Sequence, residues 1–135
     1  AIKTSGASGL HIFIPLPART TYQSSLLLAQ LIATEVATAS PKEATVVRTV
    51  KARPPAAVYV DYLQNVQGKS VASVFSVRAR AEASISMPIR ASELTADLDP
   101  RDFTTQTSIA ELRRRAQLWT RALGKPVDLS ALGAA

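Results

Sequence analysis

The sequence predicts a mixed α/β domain, and three observations carry that expectation. Short runs rich in β-branched and aromatic residues recur at 10–16, 45–50, 58–62, 71–79 and 83–89. Two longer stretches, 20–38 and 108–119, repeat their apolar residues at helical spacing. No internal repeat or low-complexity linker divides the 135 residues, which suit one domain or a piece of one. With 47% hydrophobic and 19% charged residues the chain is too apolar for intrinsic disorder. Its longest apolar run, 26–33, is interrupted by Gln30 and falls short of the ~18–20 residues of a membrane span, so no membrane partner is expected.

Residues 10–16 (LHIFIPL) read as a buried strand that Pro15 and Pro17 bring to an end, because proline cannot continue a ladder. In the stretch from Thr20 to Thr38, Leu28, Ile32 and Val36 repeat every four residues, widened by Leu27 and Leu31. Pro41 stops that helix, since the residue before proline avoids the helical region. Residues 45–50 alternate weakly as a short strand, followed by a stiff basic connection of Lys51, Arg53, Pro54 and Pro55. Val58-Tyr59-Val60-Asp61-Tyr62 is the strongest strand pattern, and 71–79 and 83–89 are two more. Residues 91–96 suit one helical turn and 97–102 a loop. The last helix opens on Ser108-x-x-Glu111, the pattern of a capping box. Ile109, Leu112, Ala116 and Trp119 then share one face, with Arg113, Arg114 and Arg115 expected to point elsewhere. The domain is expected to run over 1–123, with 124–135 a loose tail.

There is no cysteine and a single histidine, which excludes disulfides, zinc-thiolate sites, a cysteine nucleophile and any multi-histidine metal site. Sixteen basic residues, eleven of them Arg, stand against ten acidic ones, for a net charge of +6. Arginine's fork suits phosphate; a polyanionic partner and a plain solvated basic surface both fit the charge. The N-terminal residues AIKTSGASG carry neither an initiator Met nor a signal peptide, so the chain is expected to be trimmed or to begin inside a longer polypeptide.

Four places could carry chemistry. Lys3-Thr4-Ser5-Gly6-Ala7-Ser8-Gly9 is a glycine-bearing loop feeding a strand, able to offer N–H groups, hydroxyls and an ammonium to phosphate oxygens. It matches neither the phosphate-loop nor the dinucleotide pattern, and an ordinary turn is its plain alternative. His11 follows, either as a phosphate donor or as a half-buried structural histidine. Asp61 sits in an apolar strand, where a buried carboxylate is costly unless a metal, an Arg or a ring of N–H groups compensates it. Arg78 and Arg80 project from one side of a strand, as an anion clamp or as a solvated face.

In this order the segments resemble the polymerase domain of bacterial ligase D, within the archaeo-eukaryotic primase superfamily. The resemblance runs from about Lys3 to about Trp119. Its strongest marks are KTSGASGLHIFIPL (3–16) and VYVDYLQN followed by QGK (58–69); FSVRARAEA (75–83), MPIRASEL (87–94) and LDPRDFT (98–104) continue it. It implies a primase-polymerase-like mixed sheet flanked by helices, here an incomplete domain. It also implies that Ser5, His11 and Arg78 bind the triphosphate of an incoming nucleotide, with Lys3 and Asn65 in support, and that Asp61 is a catalytic ligand of Mg²⁺ or Mn²⁺. These side chains are expected to converge on one pocket.

The implied reaction is nucleotidyl transfer in bacterial non-homologous end joining: a primer 3′-hydroxyl attacks the α-phosphorus, two metal ions stabilise the attacking and leaving oxygens, and pyrophosphate departs. Partners implied are a nucleoside triphosphate, DNA ends, and an N-terminal half-domain, a ligase domain or a second copy; the location implied is cytoplasmic, at the nucleoid. The family's first motif, an Asp-x-Asp pair, belongs upstream of the Ser/His motif, where this chain has two residues. Asp97 and Asp99 are no substitute, because they fall in the family's own late LDP–FT segment. Ala91 stands where the family usually has Trp, and Phe75 where Tyr is common. The chain alone is therefore expected to be inactive or nearly so, and a non-catalytic nucleotide- or DNA-binding module is the alternative. Cutting such a domain would expose apolar core and strand edges.

Overall fold

A computed structural model describes residues 1–129. They form β1 (Ile2–Thr4), β2 (Leu10–Ile12), α1 (Tyr22–Ala39), β3 (Ala44–Thr45), β4 (Val58–Tyr59), β5 (Pro88–Ile89) and α2 (Ile109–Leu123), with single 3₁₀ turns at Val50–Ala52, Ala91–Glu93 and Pro100–Asp102. The mixed α/β class is as expected. The chain gathers into two compact units, one of residues 1–17 with 72 onward, the other of residues 18–71.

In the first unit an antiparallel sheet runs in the order β2-β1-β5, with Lys3 opposite both His11 and Pro88. Its core is the run Ser84–Ile89, buried at every position. Apolar Ile85, Met87 and Ile89 alternate there with Ser84 and Ser86, a pattern that would ordinarily leave the serines in water. Here the serines are satisfied from within: Ser84 Oγ donates to the Gly6 carbonyl at 2.7 Å and Ser86 Oγ to that of Thr4 at 2.7 Å. Thr4 completes the seam, donating its hydroxyl to the Ile85 carbonyl and accepting the Met87 N–H. Among the described residues no buried side-chain polar atom lacks a partner.

The strands expected over 71–79 and 83–89 shrink to β5 plus isolated bridges, Val77 with Ile85 and Ser84 with Thr104. Phe75 and Ala83 take positive φ values of 62° and 47°, which bends the chain out of the ladder on both sides. The 10–16 strand is likewise shorter than expected, and it is not buried. β2 is an edge strand that turns Leu10 and Ile12 outward, Ile12 to 71% exposure, and keeps His11 and Phe13 inward.

Helix α2 begins as expected at Ser108, whose Oγ accepts the Glu111 N–H at 3.2 Å. The Glu111 carboxylate does not complete a box; it takes Arg115 Nε at 2.6 Å and pairs with Arg114. Arg115 corrects the expected helix face. It is the buried residue of α2, at 7% exposure. Its Nη1 donates to the Pro88 carbonyl at 2.8 Å, its fork grips Glu93 at 2.7 and 3.0 Å, and its guanidinium lies 5.2 Å from the Phe103 ring centre. Burial alone would raise the Glu93 carboxyl, but the Arg90 N–H and the Arg115 guanidinium outweigh it and hold it below its ordinary value. One turn on, Trp119 meets Phe13 edge to face at 5.1 Å. Beyond α2, the Val127 N–H donates to the Pro15 carbonyl at 2.8 Å; the remainder of the expected tail, 130–135, lies outside the described residues.

In the second unit α1 forms where its period and breaker require, capped by Thr21 accepting the Ser24 N–H. Its apolar stripe is not buried: Ala33 alone is, while Leu27, Leu31, Ile32 and Val36 are exposed. β3 and β4 pair in parallel, Ala44 with Val58 and Thr45 with Tyr59. The expected 45–50 strand stops early because Arg53 takes the carbonyls of Val47 and Arg48, at 2.9 and 2.8 Å, and stacks over Tyr59 at 4.1 Å. No described helix is long and apolar enough to cross a membrane.

Arg115→Met should keep the volume and remove the clamp, leaving the Pro88 carbonyl without its donor. Unfolding free energy is expected to fall by about 3 kcal/mol, read as a lower denaturant midpoint by circular dichroism. An unchanged midpoint would show that the clamp adds no net stability.

Candidate functional site

The glycine loop closes on itself. Ser5 N–H donates to the Gly9 carbonyl at 2.8 Å, and Ser5 Oγ accepts the N–H groups of Ala7 and Gly9, both at 3.1 Å. Two of the N–H groups expected to face a ligand are thereby turned inward onto Ser5. The Ser5 hydroxyl keeps its own proton, and with both acceptor positions filled from the backbone that proton can be donated outward.

Gly6 holds the loop against its neighbour. Its φ of +68° is open to glycine at little cost, and a Cβ there would lie 2.6 Å from Cγ of Arg78 and 3.0 Å from the Ser86 backbone nitrogen. The space that the missing Cβ leaves is taken by the Arg78 stem. Arg78 itself leaves no regular strand. Its N–H donates to the Ser84 carbonyl and its carbonyl accepts the Arg80 N–H, a tight turn rather than an alternating face, so the two arginines do not form the expected strand clamp. Val77, Arg78, Ala79 and Arg80 line an open hollow of about 510 Å³.

Lys3 and His11 face each other across β1 and β2. Lys3 is 0% exposed, its Nζ 2.8 Å from His11 Nδ1 and 2.5 Å from Ser86 Oγ, and it lies over the Phe13 ring at 5.6 Å. Burial, aided by the charge of Arg78, lowers the Lys3 ammonium from its ordinary value to about 8. Burial, then Lys3, then Arg78 lower the His11 imidazole. The charged groups acting on His11 are thus both cations. Among the described residues Arg78 is in no ion pair with a carboxylate. Lys3, His11 and Arg78 therefore form a cluster of basic groups with no carboxylate paired to Arg78, and Ser5 stands in the adjoining loop, next to the Gly6 on which the Arg78 stem rests. Ser86, which holds Lys3, is the member sequence reasoning missed; its signal was a serine alternating with apolar residues in a run otherwise fit for the core.

Asp61 belongs to the second unit, and its surroundings differ from those expected. It is exposed and lies just past β4, not inside a buried strand. Its Oδ1 accepts the Leu63 N–H at 2.9 Å and the Tyr59 hydroxyl at 3.4 Å, the self-bonded turn that aspartate favours. Asn65 secures the same turn, its Nδ2 donating to the Tyr62 carbonyl at 2.8 Å. Burial and the neighbouring Asp61 raise the Tyr59 phenol above its ordinary value. Among the described residues no three His, Cys, Asp or Glu side chains gather as a metal cage, so Asp61 offers one ligand and not a complete site. Asp99 is committed elsewhere: Arg101 grips its carboxylate at 2.6–3.0 Å and draws its pKa down to about 2.

A sequence profile described as "LigD, primase-polymerase domain" matches residues 1–119. The bifunctional non-homologous end joining protein LigD of Bacillus subtilis is 32% identical over 114 residues, 84% of this chain and 18% of that protein. The multifunctional LigD of Pseudomonas aeruginosa is 34% identical over 93 residues, 69% of this chain and 11% of that protein. The chain therefore spans less than a fifth of these relatives. The polymerase domain of Mycobacterium tuberculosis ligase D, solved in complex with DNA, superposes with a TM-score of 0.71 at 25% identity, covering 93% of this chain and 43% of that one.

Two measurements probe this geometry. Gly6→Ala should cost about 1–3 kcal/mol for its positive φ and its collision with Arg78 and Ser86, seen as an earlier unfolding transition; tolerance of alanine would mean the loop is not held as described. Because the folded Lys3 pKa lies below its unfolded value, the unfolded chain binds more protons between about pH 8 and the ordinary lysine range. Stability should therefore rise with pH across that window in the native chain and lose that slope in Lys3→Met.

Proposed function

This chain belongs to the LigD primase-polymerase family, and we propose that it is the triphosphate-binding portion of a domain that adds nucleotides to DNA ends during non-homologous end joining. The observation that carries the reading is the unbalanced cluster of Lys3, His11 and Arg78 around the closed Ser5–Gly9 loop. Three cationic or donor groups without a carboxylate favour a multiply charged anion, and a triphosphate supplies one.

In this reading each residue has a limited task. Arg78 brings a forked donor to phosphate oxygens, its stem steadied by Gly6. Ser5 donates its free proton, and His11 donates from the ring nitrogen that does not face Lys3. Burial of Lys3 removes competing water from one side of the anion, which strengthens each of these contacts. Asp61 serves as one ligand of Mg²⁺ or Mn²⁺, an ion that in this chemistry would stabilise charge on phosphate oxygens. The described donor set is too small to hold such an ion unaided, so no step is assigned to it. The wider activity, on DNA ends and with further protein partners, rests on the family.

Titration of the chain with a nucleoside triphosphate tests the reading. His11→Ala, and Arg78→Met, which keeps the stem on Gly6, should each weaken binding about tenfold, the worth of one charge-assisted hydrogen bond. Equal affinity in all three proteins would remove the basis for a triphosphate site here. Primer extension by this chain alone should be little or none, and robust metal-dependent extension would show that the catalytic donors are already complete.

A further inference from the structure

The hydrogen bonds around Lys3 fix more than its own position. A lysine ammonium has three donors and no acceptor. Ser86 Oγ gives its own proton to the Thr4 carbonyl at 2.7 Å, so across the 2.5 Å contact it accepts from Lys3. Across the 2.8 Å contact, His11 Nδ1 must likewise accept. An accepting Nδ1 carries a lone pair, which leaves the ring proton on Nε2.

We propose that Lys3 is a positioning residue which locks His11 as the neutral Nε2–H tautomer, so that the ring presents a hydrogen-bond donor, and no competing acceptor, to a phosphate oxygen. The functional consequence rests on the phosphate reading above; the tautomer does not. Two further features support the lock. Phe13 stands edge to face with His11, 6.5 Å between centroids, and under the Lys3 ammonium, so ring and ammonium share a common wall. Burial and the charges of Lys3 and Arg78, the titratable groups acting on His11, lower its pKa and keep it neutral at physiological pH. A positioned neutral donor binds phosphate without the proton uptake that an imidazolium would require.

One histidine in 135 residues makes the test direct, because the imidazole gives a single set of nitrogen resonances. Long-range proton–nitrogen correlation on the labelled native chain at neutral pH should show Nδ1 unprotonated and Nε2 protonated. A protonated Nδ1, a doubly protonated ring, or two nitrogens averaged by exchange would each overturn the proposal. In Lys3→Met the two nitrogens should move toward averaged values and the His11 pKa should rise; an unchanged tautomer there would also overturn it. The native measurement stands whether or not that variant folds. Addition of inorganic triphosphate to the native chain should shift the Nε2–H signal and leave Nδ1 unprotonated. A ring fixed as described but indifferent to triphosphate would uphold the lock and overturn the phosphate reading.

Discussion

A lysine ammonium removed from water is the constraint around which the first unit is arranged. Such a charge is tolerated only when its donors are met and its neighbours hold still. Ser86 meets one donor, His11 another, and the Phe13 face lies beneath. Ser86 can accept because its own proton goes to Thr4, and Thr4 in turn is bound to Ile85 and Met87. The seam between β1 and the 84–89 run is therefore a continuous polar lattice inside an apolar shell. Its rigidity places Gly6 beside Arg78 and His11 beside Lys3, so packing and candidate site come from the same bonds.

Much of this was legible in the sequence, and the failures have identifiable physical causes. The two helices were readable from different signals: the first from its apolar period and the Ser40-Pro41 breaker, the second from its period and the Ser108 cap, and the Thr21 cap of the first was not read. Ser5, His11 and Arg78 were singled out through the family likeness; the structure pairs β1 with β2, which sets His11 opposite Lys3, and seats the Arg78 stem on Gly6, the residue after Ser5. Strand lengths were overestimated because β-branched composition says nothing of side chains that compete for backbone groups. Arg53 takes two carbonyls from 45–50, and Phe75 and Ala83 bend the later runs at positive φ. Arg115 was missed because a run of three arginines reads as a solvated face; which of three is buried depends on Glu93 and Pro88, more than twenty residues away in sequence. Asp61 was misplaced rather than misread: the apolar residues around it suggested a buried strand, whereas β4 ends at Tyr59 and the exposed carboxylate accepts the Leu63 N–H of its own turn.

Charge is distributed unevenly among the acids and bases that matter. Glu93, Glu111 and Asp99 are each committed to arginines, which satisfies structure and leaves them no free role. The cluster of Lys3, His11 and Arg78 receives no such compensation. The uncompensated positive charge of that cluster is what the proposed reading of an anion site there rests on.

The edge-to-face contact between Phe13 and Trp119 has an optical consequence. The chain holds a single tryptophan, and it stands 5.1 Å from the phenyl ring of Phe13, the residue just past the end of β2. Emission from that indole is accordingly a built-in gauge of the strand's seating against the helix: a colour shift or a change in quenching would register any displacement there, with no dye attached and no second fluorophore of its kind to confuse the signal.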